Sequence, residues 1–209
     1  MGDKIASEQI ERIRLRVMAI LDKAGIIIAQ EERLAMEITD LGLGDIENVG
    51  LQAIVYVNNS RYCAKELIML PNQICPEHRH PFIDEKNPGK QETFRCRWGE
   101  AFLYVPGEKK ASPKAVVPEI HRIHLSVHHE IRLKPGDQHT LRPGERHWFQ
   151  AGSEGAVISE FSSASLDEED IFTDPRVRRM SVLVRLQRET MDGLPRRPVA
   201  VNRLFPQGE

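Results

Sequence analysis

From Asn48 onward the chain breaks into short β-type runs: LQAIVYVNN, YCAKELIML, TFRCRWGEAFLYV, HRIHLSVHHEIRL, HWFQA and AVISEFSS. Turn residues bound them and no helical pattern separates them. Runs of this kind can bury their apolar rows only by pairing with one another, so the expected fold is mainly β, an antiparallel sandwich or small barrel. KPGDQ, RPGER and GSEG are read as the turns between them.

Upstream, Ile10, Ile13, Val17, Ile20, Leu21 and Ala24 recur at helical spacing, and Gly25 stands where a C-cap would. This predicts an amphipathic helix over residues 7–24. A second helical pattern runs from Glu31 to Leu41 and ends at the glycines of LGLGD. Both are expected to pack on the main domain or on a second subunit. Downstream, SLDEEDIFTDPRVRR reads as a charged capping segment and RRPVAVNRLFPQGE as an irregular arm. The expected division is a helical extension over 1–46, a barrel over 47–164, and a cap with its arm over 165–209.

The 209 residues carry 29% charged side chains and a net charge of −2, so no basic excess points to nucleic acid or an anionic membrane. No apolar run suits a signal peptide or a spanning helix, and a cytoplasmic location is expected. Met1-Gly2 matches the start of a myristoylation signal, but Ala6 stands where that signal favours Ser or Thr. Cys63, Cys75 and Cys96 have no CxxC spacing and read as reduced thiols rather than a disulfide framework or zinc knot.

Residues two apart in a strand face one side, so His78 and His80 form a chelating pair if their segment is extended. Alone, the pair fits a polar loop better. Glu92 shares strand parity with Phe94, Cys96 and Trp98, which aims a carboxylate along an apolar row. A buried carboxylate without a counter-ion is costly, and a cation would explain it. His147 follows the RPGER turn and enters the strand HWFQ.

In order, His78-x-His80, a gap, Glu92-x6-Gly99 and then Pro143-Gly144-x2-His147 resemble the two motifs of the cupin superfamily. The resemblance implies a cupin (double-stranded β-helix, or jelly-roll) barrel with N-terminal helices and a metal site at His78, His80, Glu92 and His147. The chain departs from the pattern in a longer insert between His80 and Glu92, and in Ala151 where the second motif closes with Asn. The insert, Pro81 to Lys90, reads as a lid or rim loop.

More narrowly, GKQETFRCRWGEAFLYVPG, LKPGDQHTLRPGERHWFQAG and GAVISEFSS resemble the D-lyxose isomerase family of cupins, over roughly residues 61–178. That family interconverts aldoses and ketoses with manganese, which implies a homodimer acting on D-lyxose and D-mannose with Mn²⁺. The donor set itself also suits Co²⁺, Fe²⁺ or Zn²⁺.

Moving a proton between C2 and C1 of a sugar needs a base. If Gly152–Gly155 closes a hairpin, His147 and Glu160 lie opposite each other with Cβ atoms about 5 Å apart. Glu160, which matches the family's catalytic glutamate, is then the base, a fifth ligand, or a buried acid paired with a lysine. Lys65, in an apolar strand, either snorkels to solvent or binds a sugar hydroxyl, and the resemblance puts a catalytic and substrate-binding lysine there. Lys90 is its rival for the sugar. Asp170 resembles a family acid that contacts sugar or relays protons, with Glu169 and Asp174 as alternatives. His121, His124, His128 and His129 read as surface or interface residues, with His129 a candidate for the substrate rim, and His139 as a solvated turn residue. Trp98, Phe102, Trp148 and Phe149 read as core, one of them able to floor a sugar pocket.

The expected activity is aldose–ketose isomerisation by a cis-enediol route. The alternatives are a cupin sugar-phosphate isomerase, for which no compact anion clamp is visible, an Fe²⁺ dioxygenase, and a non-catalytic sugar-binding cupin.

Overall fold

The helix α1 runs over Gly2–Ala24. In the computed structural model, which describes residues 2–179 and residue 187, its apolar stripe of Ile13, Val17 and Leu21 is fully buried. The stripe packs against Met36, Ile38, Ile54 and Ile68 on one face of a curled sheet. Gly25, at φ +67°, ends the helix, with its N–H donating to Asp22 O and that of Ile26 to Leu21 O. The expectations for Met1 and for the arm RRPVAVNRLFPQGE lie outside the described residues. No helix among the described residues is long and apolar enough to cross a membrane.

The second helix, α2, covers only Gln30–Ala35, and Glu37–Thr39 forms strand β1 instead of continuing it. Ile38 and Thr39 are β-branched, and pairing with β2 (Leu51–Asn58) buries both. The remaining strands are β3 (Cys63–Met69), β4 (Ile74–Arg79), β5 (Glu92–Val105), β6 (His129–Leu133), β7 (Gln138–Leu141), β8 (His147–Ser162) and β9 (Ile171–Phe172). They form one antiparallel sheet in the order β1-β2-β3-β8-β4-β9, with β5 paired to β8 on one side and to β6 and β7 on the other. This is the mainly β cupin architecture expected from the sequence, curled into a half-barrel.

The expected hairpin at GSEG is absent. HWFQA and AVISEFSS are one strand, and residues 152–155 bulge between the pairs Ala101↔Ala151 and Gly99↔Ala156. The physical reason is competition for partners. The first arm of β8 pairs with β4 and the second with β3, while β5 runs beside both, so neither arm is left to fold onto the other. Gly99 makes the close passage possible: at φ +69°, a Cβ there would lie 2.1 Å from the carbonyl oxygen of Gly155.

The run HRIHLSVHHEIRL is strand only from His129. Pro118 caps a single-turn helix α3 (Glu119–Arg122) and its carbonyl accepts the N–H groups of His121 and Arg122. His139 is likewise not in the turn, which occupies residues 134–137; it pairs with Phe94 from β7. Leu67, Phe94, Cys96, Phe149 and Ile158 belong to the apolar cluster whose upper members, Leu67, Phe94 and Phe149, floor the site.

Candidate metal centre

Strand pairing sets His78 on β4 directly beside His147 on β8, and their ring centroids are 4.3 Å apart. His80, just past the end of β4, lies 5.1 Å from His78 and 5.5 Å from His147 by the same measure. One nitrogen of each ring falls within 4.8 Å of the others. Glu92 enters from β5, with Oε1 2.9 Å from His80 Nε2 and 3.1 Å from His147 Nε2. All four side chains are buried.

The outer nitrogens are all accounted for. Nδ1 of His78 donates to Pro76 O at 2.8 Å, that of His147 to Glu145 O at 3.0 Å, and that of His80 to Asp170 Oδ1 at 2.5 Å. Such bonds fix the tautomers of His78 and His147 with the Nε2 lone pair inward, and they turn His80 Nε2 toward Glu92, the orientation that supports imidazole ligation. His147 Nε2 is buried and, although 3.1 Å from Glu92, is not aligned for a hydrogen bond. An orphaned inward nitrogen among three imidazoles and a carboxylate fits a divalent cation.

Charge around the cluster is tightly matched. Burial and the two neighbouring imidazoles hold His78 well below its ordinary pKa, so it stays neutral. Burial disfavours the cation of His80 too, but Glu92 and Asp170 outweigh it and push the ring up to about 9. A proton there occupies the place between two carboxylates that a metal would neutralise. Burial opposes the charge on Glu92, yet Lys90 and His80 keep it well below the usual carboxylate range.

Lys90 lies deep, with Nζ 2.8 Å from Glu92 Oε2 and 2.5 Å from Glu160 Oε1. Glu160 therefore reaches the cluster through Lys90 rather than as the partner of His147; its strand neighbours are Lys65 and Phe94. Lys65 is buried and donates to Asp167 at 2.7 Å and to Ser165 Oγ at 3.2 Å, so it does not snorkel. Asp170, rather than Glu169 or Asp174, meets the histidines; Asp174 instead pairs with Arg176. Phe172 of β9 tilts against His78 at 5.3 Å.

These groups enclose a cavity of about 60 Å³ that includes Lys65, Lys90, Glu160, Asp167 and Asp170 with Phe94 and Phe149. That is well above the roughly 10–15 Å³ that a single water needs, and at about 30 Å³ per water it holds about two water molecules. Sequence reasoning missed Asp167, Phe172 and Arg179, which no motif marks and which arrive only through the path of the cap. The other histidines stand apart from this cavity. His121 is buried against Asp45 rather than on the surface, His124 lies 3.7 Å from Asp174, and His129 bonds Glu108 O away from any substrate rim.

The profile of the D-lyxose isomerase family matches residues 22–185. The D-lyxose ketol-isomerase of Thermofilum sp. (strain ex4484_79) is 54% identical over 180 residues, covering 86% of this chain and 99% of that protein. The D-lyxose/D-mannose isomerase of Thermosediminibacter oceani is 54% identical over 84% of this chain and 97% of its own. Among solved structures, the L-ribose isomerase of Acinetobacter sp. DL28 in complex with L-ribose superposes with a TM-score of 0.66 at 14% identity, over 82% of this chain and 92% of that one. That last likeness establishes a shared fold.

Proposed function

The chain belongs to the D-lyxose isomerase family, and we propose that it interconverts D-lyxose with D-xylulose, and D-mannose with D-fructose, by proton transfer between C2 and C1. In this reading His78, His80, Glu92 and His147 hold one divalent cation. The observation that carries it is the convergence of three Nε2 atoms, each with its Nδ1 tied to an acceptor, on one carboxylate beside a second, Glu160. When bound, the cation supplies Lewis-acid polarisation of neighbouring sugar oxygens.

The chain's own groups do the rest. Glu160 takes the proton from C2 and returns it to C1, while the hydroxyl proton of O2 passes to O1, which balances an aldose against a ketose. Lys90 and Lys65 donate to sugar hydroxyls, exchanging contacts they now make with Glu160 and Asp167. Asp170 holds His80 and takes part in proton relay. The apolar floor of Phe94 and Phe149 keeps water from the reacting carbons.

A free sugar is favoured over its phosphate because the cations lining the cavity are already matched: Lys65 to Asp167, Lys90 to Glu92 and Glu160, Arg179 to Glu37 and Asp167. Family membership supports manganese as the cation and a homodimer as the assembly. The three buried free cysteines support a reducing, cytoplasmic setting. Among the described residues, 2–46 brace the sheet, 47–164 supply the ligands, and 165–179 close the site. The test is turnover of D-lyxose and D-mannose in D₂O by Mn²⁺-loaded protein. Deuterium at C1 of the ketose is expected; no turnover of the free sugars, or brisk turnover of mannose 6-phosphate alone, would sink the reading.

A further inference from the structure

Glu77 takes no part in the cavity, yet its side chain is completely shielded from solvent. A carboxylate so placed persists only if its lone pairs are filled. Oε2 accepts the backbone N–H groups of Ser126 at 2.5 Å and Val127 at 2.9 Å. Oε1 accepts the hydroxyls of Ser126 and Thr173, both at 2.7 Å, and Arg146 NH1 at 3.3 Å. Arg146 also donates to Thr173 Oγ1 at 2.9 Å, and the Thr173 N–H donates to the Glu77 carbonyl at 3.0 Å.

The chain positions of these partners are what matter. Glu77 immediately precedes His78, Arg146 immediately precedes His147, and Thr173 immediately follows Phe172, the residue paired with His78 across β4 and β9. Three residues earlier on the same cap segment, Asp170 grips His80. One buried carboxylate thus knits together the three segments that seat the histidine cluster, from the side opposite to the cavity. An apolar residue there would leave the two backbone donors of Ser126 and Val127 without that acceptor and would strip Arg146 of its carboxylate.

We propose that Glu77 is a positioning residue of the metal centre, fixing the seat of His147 through Arg146 and the cap that holds His80 and His78 through Thr173. The inference rests on the reading of those histidines as cation ligands.

Two variants separate this role from general stability. In Glu77→Gln the amide oxygen can keep both backbone N–H groups of the 126–127 loop, but the NH₂ faces Arg146 and drops that link. Thr173→Val leaves the carboxylate intact and removes the hydroxyl that bonds both Glu77 and Arg146, while the backbone bond from Thr173 N–H to Glu77 O remains. The measurement is Mn²⁺ affinity of purified full-length apoprotein by calorimetry, with manganese resonance as a second readout, well below the unfolding midpoint of each metal-free variant. There, lost global stability leaves affinity untouched.

The expected result is a Kd raised on the order of 10–100-fold in Glu77→Gln, the usual scale for a lost support of a metal ligand. A smaller rise in the same direction is expected for Thr173→Val, which decides the matter alone if the glutamine variant does not fold. Unchanged Mn²⁺ affinity in Thr173→Val, or in a folded Glu77→Gln, would overturn the role. Failure of the unmodified protein to bind Mn²⁺ would overturn the metal reading, and this inference with it.

Discussion

The Lys90 ammonium sits 2.5 Å from Glu160 and 2.8 Å from Glu92, so one buried cation bridges the proposed base and a proposed metal ligand. Burial opposes its charge, but the two carboxylates hold its pKa well above the ordinary lysine value. Three charges in this arrangement keep Glu160 ordered without spending it on a metal. Glu160→Gln preserves size and should retain Mn²⁺ and sugar binding while lowering kcat by on the order of a hundredfold or more. Lys65→Met should instead raise KM and lower kcat together. Steady-state kinetics with metal analysis of each variant checks this, and near-normal turnover by Glu160→Gln would remove Glu160 from the chemistry.

The ligand set makes a second prediction. His147→Ala deletes the least exposed of the three imidazoles and leaves Glu92 facing a void. Because a metal that binds only the folded chain adds to its stability, wild type should gain thermal stability on Mn²⁺ addition and the variant should not. Elemental analysis after dialysis gives the stoichiometry, expected near one ion per wild-type chain. A variant that still carried a full equivalent would strike His147 from the site.

Much of this site could be read from the sequence because strand alternation is local. The His78/His80 spacing and the parity of Glu92 with Phe94 and Cys96 survive in the structure, for the same pleat that sets the pattern points the side chains. Hairpin pairing predicts Glu160 opposite His147, but that hairpin does not form; Glu160 arrives because β3 and β5 flank the second arm of β8. A turn and a bulge both want glycine, so GSEG could not reveal which it was without knowing what else each arm would pair with. Asp167 and Arg179 are illegible for a related reason: Lys65, which meets Asp167, and Glu37, which meets Arg179, are over a hundred residues away in sequence, and no local period records such a contact.

Asp170 supplies the third prediction. Its carboxylate fixes His80 through Nδ1 and stands 90 residues away in sequence. Asp170→Ala should free the ring to rotate and weaken Mn²⁺ binding about 10–100-fold, whereas Asp170→Asn, which keeps an acceptor, should lose less. Calorimetric titration of both variants tests the order, and equal losses would mean that the charge rather than the orientation matters.

The last prediction concerns pH and the Lys65–Asp167 pair. Lys65 Nζ lies 2.7 Å from Asp167 Oδ2, and Asp167 keeps only about a quarter of its side chain exposed. Burial alone would raise its pKa, but Lys65, then Lys90 and Arg179, outweigh burial and hold the carboxyl far below the usual range. A depressed folded-state pKa means that the unfolded chain takes up the proton first. The stabilisation is therefore complete above the unfolded value near ~3.9, and is lost as pH falls below it. Asp167→Asn should cost about 3 kcal/mol at neutral pH, the lower end for breaking a buried pair, and progressively less in acid. Urea unfolding of metal-free wild type and variant from neutral pH to about pH 3 makes the comparison, because other titrating groups cancel in the difference. A difference that stayed constant over that range would show that Asp167 contributes through its hydrogen bonds and not its charge.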